Sequence, residues 1–300
     1  MGLEKEIWKS DIIGGLYRKN RFLQYATSGD QYVLQGKVVH IPNANAASGN
    51  AKNRTSLPAA VTKRTDTDVT YALDEFTSNP VLIPNIDTIQ LSYDKRASVT
   101  REDMAALIQI VANWMLRYWS PSTSQQIIRT TGDLATTTLD GATGQRRKLL
   151  KDDLLTARTI LNKQDVPEEG RVALIPSDQM VSLLKDPDLL RRDFAGEVDI
   201  RNGVVSRIYG FELLERSATQ PYDNALMPKD PGTGAAGTDC MSTLCWHPDM
   251  VERAMGTIDT FYRENDPTYY GNILSFLLMA GGRQRRADGK GVVAIVEATA

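Results

Sequence analysis

Met104, Leu107, Ile108, Val111 and Met115 recur at helical spacing and draw one apolar stripe along a single helix. Thr100 stands where an N-cap would start it, with Asp103 three residues on in a near capping box, and Pro121 ends it. Trp114, Tyr118 and Trp119 add aromatic bulk near its end. A helix with one apolar face needs cover, and most of the remaining apolar residues come in short runs broken by turn residues. With the strand-like and helix-like segments that precede and follow it, the chain reads as α+β.

The stretch before the helix reads as β. Gly36–Pro42 is a strand candidate carrying Val38, Val39 and Ile41. Asn43–Ala60 is rich in Asn, Ala, Ser and Gly and has no apolar period, which predicts a long loop. Thr65, Thr67, Val69, Tyr71 and Leu73 then alternate with Asp66, Asp68, Thr70 and Asp74. Ile89, Leu91 and Tyr93 alternate with Gln90, Ser92 and Asp94. Both have the period of a strand with one wetter face. Pro80 and Pro84 between them suit a sheet edge. The two strands are expected to pair as a long ribbon. An isolated ribbon is marginal in water, so its stabilising surface is expected elsewhere, on another chain.

After the helix, Gly132–Gly144 predicts a loop, and Leu150, Leu154, Ala157 and Leu161 mark a second amphipathic helix. Arg171–Ile175 predicts a short buried strand and Ser177–Lys185 a short helix. In Asn202–Ser217, the runs Val204, Val205, Ile208 and Phe211, Leu213, Leu214 flank Gly210, a strand–turn–strand pattern. Pro228–Asp239 predicts a flexible loop, His247–Met255 a helix, and Thr257–Arg263 a strand. Ile273–Ala280 is expected to be a buried helix and Val292–Val296 a closing strand. Residues 1–35 start amphipathically, which fits either a packed helix or an arm lying along a neighbouring subunit.

The chemistry in this sequence is sparse. The 300 residues carry a net charge of -2, so no global basic surface points to nucleic acid. Met1–Trp8 is charged and lacks the apolar segment of a signal peptide, and no apolar run approaches the roughly 18 residues of a membrane helix. No membrane partner is expected. Cys240 and Cys245 are the only two cysteines, too few for a disulfide framework and suited to a reducing compartment. The only two histidines, His40 and His247, lie far apart and favour structural or capping roles. Pro231–Gly237 is glycine-rich but lacks the Gly-Lys-Ser/Thr ending of a phosphate loop. Three basic groups remain, Lys52/Arg54 with Lys63/Arg64, Arg146–Lys148, and Arg283/Arg285/Arg286; each fits solvated surface or contact with acidic neighbours or nucleic acid. No catalytic, cofactor or metal site is expected.

The segments "GRVALIPSDQMVSLLKDPDLL", "GVVSRIYGFELLERS" and "CWHPDMVERAM" follow a ribbon and a long helix in that order. This order resembles the major capsid proteins of tailed phages with the HK97-type fold. The resemblance implies an N-terminal arm at 1–35, an E-loop and its base at 36–98, and a peripheral domain with a spine helix at 99–144. It further implies an axial domain at 145–256 and a return to the peripheral domain at 257–300. Its implied function is structural: hexamers and pentamers closing an icosahedral head around double-stranded DNA, assembled in the bacterial host. Portal, scaffolding and cement proteins would be partners. Subunit contacts are expected at Tyr71, Leu73, Ile89, Leu91, Arg64 and Asp74 in the ribbon. Two rival readings are an encapsulin-like shell around a protein cargo and, more remotely, a hydrolase using His247.

Overall fold

Antiparallel pairing from Val251↔Gln284 to Asp266↔Gly271 makes 251–284 one long hairpin, against which much of the protein is arranged. The computed structural model describes residues 20–34, 38–43, 52–53, 61, 67–84, 95–186, 198–199, 204–205, 207–286 and 288–300. In chain order the strands before the long helix are β1 (Thr27–Ser28), β2 (Val33–Leu34), β3 (Val38–Asn43), β4 (Thr67–Ala72), β5 (Asp74–Thr77) and β6 (Val81–Pro84). Helix α1 (Lys95–Trp119) follows, then β7 (Ile127–Arg129), β8 (Leu134–Thr136), β9 (Gln145–Arg147) and α2 (Lys151–Lys163). Next come β10 (Arg171–Pro176), α3 (Ser177–Leu184), β11 (Val198–Asp199), β12 (Val204–Val205), β13 (Arg207–Ile208), β14 (Phe211–Arg216) and β15 (Pro221–Tyr222). The chain closes with β16 (Cys240–Trp246), β17 (Val251–Asp266), β18 (Gly271–Gln284) and β19 (Val292–Val296). Among the described residues no helix is long and apolar enough to cross a membrane.

A seven-stranded sheet runs in the order β13-β14-β10-β16-β19-β7, with β15 on β16. Its central strands β10, β16 and β19 are buried on both faces, and β19 reads as an unbroken apolar run. Alternate residues go to different clusters. Val172, Leu174, Trp246, Val292, Ala294 and Val296 join the core that contains the α1 stripe. Ala173, Ile175, Cys245, Val293 and Ile295 pack on the other face with Leu154, Ala157 and Leu161 of α2 and Met180 and Leu183 of α3. The β13–β14 turn has positive φ at Tyr209 and Gly210 (50° and 85°), the hairpin geometry that the glycine permits.

A five-stranded sheet is ordered β1-β17-β18-β5, with β6 also on β18. Strands β5 and β6 follow one another along the same edge of β18, broken at Ser78–Pro80. Ser78 bridges the break: its N–H donates to the Phe276 carbonyl at 2.9 Å, and its hydroxyl accepts the Phe276 N–H at 2.8 Å. Leu274, Phe276, Leu278 and Ala280 on one face of β18 pack with Met104, Leu107, Ile108, Val111 and Met115 of α1.

Several expectations change. Ile273–Ala280 is strand, not helix, because an apolar run this short carries no decisive period and its neighbours supply the alternation. His247–Met255 is one 3-10 turn at Pro248–Met250 followed by β17. Helix α1 begins at Lys95, placing Thr100 inside it. Among the described residues β4 pairs with β3, from Val38↔Ala72 to Asn43↔Thr67, whereas 89–93 lies outside them; alternation marks a strand but not its partner. Finally, β19 sits between β16 and β7 in the seven-stranded sheet, and Val292, Ala294 and Val296 on one of its faces join the core of α1 and the long hairpin.

A Cβ built on Gly282 would lie 2.9 Å from Met115 Sδ, 3.0 Å from the Glu252 carbonyl oxygen and 3.0 Å from Trp119 Nε1. Gly282→Val is expected to cost about 1–3 kcal/mol by overpacking, and Trp119→Ala about 3–5 kcal/mol by leaving a cavity. Urea denaturation of the subunit measures both.

Candidate assembly surface

The β3–β4 ribbon is anchored on the chain's own body. Val39, Leu73 and Ala254 form a small buried cluster, against which Val33, Tyr71 and Met279 pack. Arg283 Nη1 on β18 donates to the Thr70 carbonyl at 3.2 Å. Asp74, exposed on β5, accepts a hydrogen bond from the Tyr118 hydroxyl of α1. Of the expected subunit contacts, Leu73 is therefore an interior residue of its own subunit, 8% exposed, and Tyr71 is half-buried against it. Arg64, Ile89 and Leu91 lie outside the described residues. The residues singled out by alternation thus include the root of the ribbon, since buried and partner-facing positions share the same period.

Behind Tyr71 lies a group that the sequence did not signal. Glu252 is 1% exposed where the N-terminal segment, the ribbon and β17 meet. The backbone of Gly29 is so close that a Cβ there would come within 2.2 Å of Glu252 Oε1. Arg285 Nε lies 3.4 Å from Glu252 Oε2. Burial raises the Glu252 pKa above the ordinary carboxylate range, and the Arg285 charge and the Tyr71 hydroxyl offset this only in part. Burial also raises Tyr71, with the Glu252 charge adding to it.

The glycine-rich segment is tied down rather than loose. Lys229 Nζ sits 2.5 Å from Asp239 Oδ2, which also accepts the Ala236 N–H at 2.8 Å. Arg146, 4% exposed, donates to the backbone carbonyls of Asp239 and Gly237 at 2.9 and 3.1 Å. Burial alone would raise Asp239, but the Lys229 and Ala236 bonds outweigh it and hold the carboxyl below its usual range. Members of two of the basic groups are likewise engaged within the chain, while Arg54, Lys63 and Arg64 lie outside the described residues. Arg147 donates to the Gly132 carbonyl, Arg286 pairs with Asp288 at 2.8 Å, and Arg285 faces Glu252.

His247 caps the 3-10 turn at Pro248–Met250. His247 Nδ1 accepts the Asp249 N–H at 3.2 Å and Nε2 meets the Glu169 carbonyl at 2.9 Å, so both ring nitrogens serve the backbone. Cys240 and Cys245 are buried and free. Among the described residues no group of three or more metal-ligating side chains forms.

On the outer part of the long hairpin three aromatic side chains reach solvent: Phe261 and Tyr269 are each 56% exposed and Tyr270 is 79% exposed. Asp266 orders the turn, accepting from Thr268 N–H and Arg263 Nη1, each at 2.8 Å. The signal for this surface was an aromatic on the polar face of the Thr257–Arg263 alternation.

Two variants test this reading of the ribbon root. Tyr71→Asp is expected to lower the melting temperature of the subunit itself, not assembly alone, because it adds a carboxylate beside Glu252. For Glu252, a folded-state pKa above the unfolded value of about 4.3 means stability is greatest below that value and falls as pH rises through the folded one. Glu252→Gln should remove this fall, giving a flatter stability profile above about pH 4.3 in thermal melts.

Comparison with known proteins bears on what such a surface serves. A model of the phage capsid protein family matches residues 25–297. Among curated proteins, none matches the sequence. Among solved structures, the chain is similar to one from Mycobacterium phage Che8, with TM-score 0.60 and 20% identity over 87% of this chain and 85% of that one. It is similar to the capsid of cyanophage P-SCSP1u, with TM-score 0.65 and 17% identity over 92% of this chain and 87% of that one. A virus-like particle from Pyrococcus furiosus aligns at TM-score 0.54 and 10% identity over 97% of this chain and 99% of that one. These likenesses establish an HK97-like fold, and with the match across 25–297 the chain belongs to the phage capsid protein family.

Proposed function

We propose that this capsid protein is the major subunit of an icosahedral phage head, assembling into hexamers and pentamers that enclose double-stranded DNA. The observation that carries this is the family match over residues 25–297, which spans both large sheets and α1. The architecture supports it: a ribbon rooted on the body and a long hairpin with exposed aromatics suit a protein whose work is mechanical. In this reading the seven-stranded sheet with α2 and α3 is the axial part, α1 with β17 and β18 the peripheral part, and the β3–β4 ribbon the base of the E-loop. Portal, scaffolding and cement proteins are its partners, and assembly takes place in the bacterial host. Contact with DNA is non-specific, through cations not already held by the chain's own carboxylates and carbonyls.

An encapsulin-like shell around a protein cargo is the second reading, since a shell fold alone does not name its contents. The fold is common to both, so contents decide between them. Electron microscopy of the assembled protein, with nuclease digestion and mass spectrometry of particle contents, is the test. Closed shells with five-fold and six-fold capsomers and nuclease-protected DNA in virions are expected. A strictly monomeric protein, absent from particles, overturns the proposal.

A further inference from the structure

We propose that the outer edge of β17 pairs with the same edge of a second copy, antiparallel and two-fold symmetric about Phe261. Building on the shell-forming reading, this names one of the contacts a shell would need. Among the described residues, β17 has ladder partners in β18 along its length and in β1 only at Glu252 and Arg253. Its register is irregular between Met255 and Ile258 and between Arg263 and Asp266, leaving Ile258–Arg263 as a regular stretch between two bulges. A strand edge of this kind is a template for another strand.

The side chains make the edge self-complementary. Ile258 and Thr260 face inward, 7% and 3% exposed, while Phe261 is 56% exposed and the Arg263 side chain 72%. Asp259, Phe261 and Arg263 share the outward face by period two. Antiparallel pairing about Phe261 sets Asp259 of each copy opposite Arg263 of the other and Phe261 opposite itself, so two opposite-charge pairs flank an aromatic pair. Arg263 uses one N–H for Asp266 at 2.8 Å, and a guanidinium has five donors. Shifting the register by one residue would set buried positions against outward ones. One strand pair is far below the roughly 1,200 Å² of a stable interface, so the contact belongs inside a shell where other contacts act with it.

Phe261→Cys tests the symmetry, because only a residue opposite itself can form a disulfide with its own copy; Cys240 and Cys245 are buried. Mild oxidation of assembled Phe261→Cys shells should move most chains to a dimer band on a non-reducing gel, while Asp259→Cys shells stay monomeric. Asp259→Arg and Arg263→Asp should each reduce assembly by roughly tenfold, and the double charge swap should restore it. Shells that form without the Phe261→Cys crosslink, together with single reversals that assemble at the parental level, overturn this contact and leave the shell reading standing. A parent chain that forms no shell overturns both.

Discussion

Trp119 is the side chain on which the two sheets of this protein meet. It is 1% exposed at the last turn of α1. Its ring meets Phe22 edge-on at 5.9 Å and Trp246 at 5.8 Å, and Nε1 donates to the Glu252 carbonyl at 2.9 Å. Phe22 belongs to the N-terminal segment, Trp246 to the seven-stranded sheet and Glu252 to the five-stranded sheet. Trp246 in turn donates to the Tyr25 carbonyl at 2.8 Å. An indole buried without a partner for its N–H would cost free energy, so these donors specify how the elements dock as well as filling space. Gly282 lets the backbone of β18 lie against that indole.

From that junction the layers follow. The seven-stranded sheet is covered on one side by α2 and α3 and on the other joins the core of α1 and the long hairpin. Among the buried ions, Arg146 and Lys229 fasten the glycine-rich segment. Rigid roots with exposed ends suit a subunit that must present fixed edges to identical neighbours.

Much of the fold was legible where one face of an element is dry and the other wet. The α1 stripe, α2, α3, β10 and the glycine turn at Tyr209–Gly210 all follow from local period and turn chemistry. Legibility failed at Ile273–Ala280, where a run of apolar residues has the same composition in a buried helix or a covered strand. At the ribbon, alternation singles out Leu73 but does not encode its packing against Val39 and Ala254 of its own chain. Glu252 left no trace, because its burial depends on Gly29, Tyr71 and Arg285 arriving from distant parts of the sequence.

The sequence by itself determined the long helix, the strand-rich remainder, the sparse chemistry and the family resemblance, because periodicity, turn residues and motif order are local or sequential properties. Tertiary structure decided which strand pairs with which, that 251–284 is a single hairpin, that β19 enters the middle of a sheet, and which apolar residues of the ribbon are inward. Those outcomes depend on long-range packing: a strand of period two has two edges and two faces, and only the elements that come to lie beside it decide how each is used.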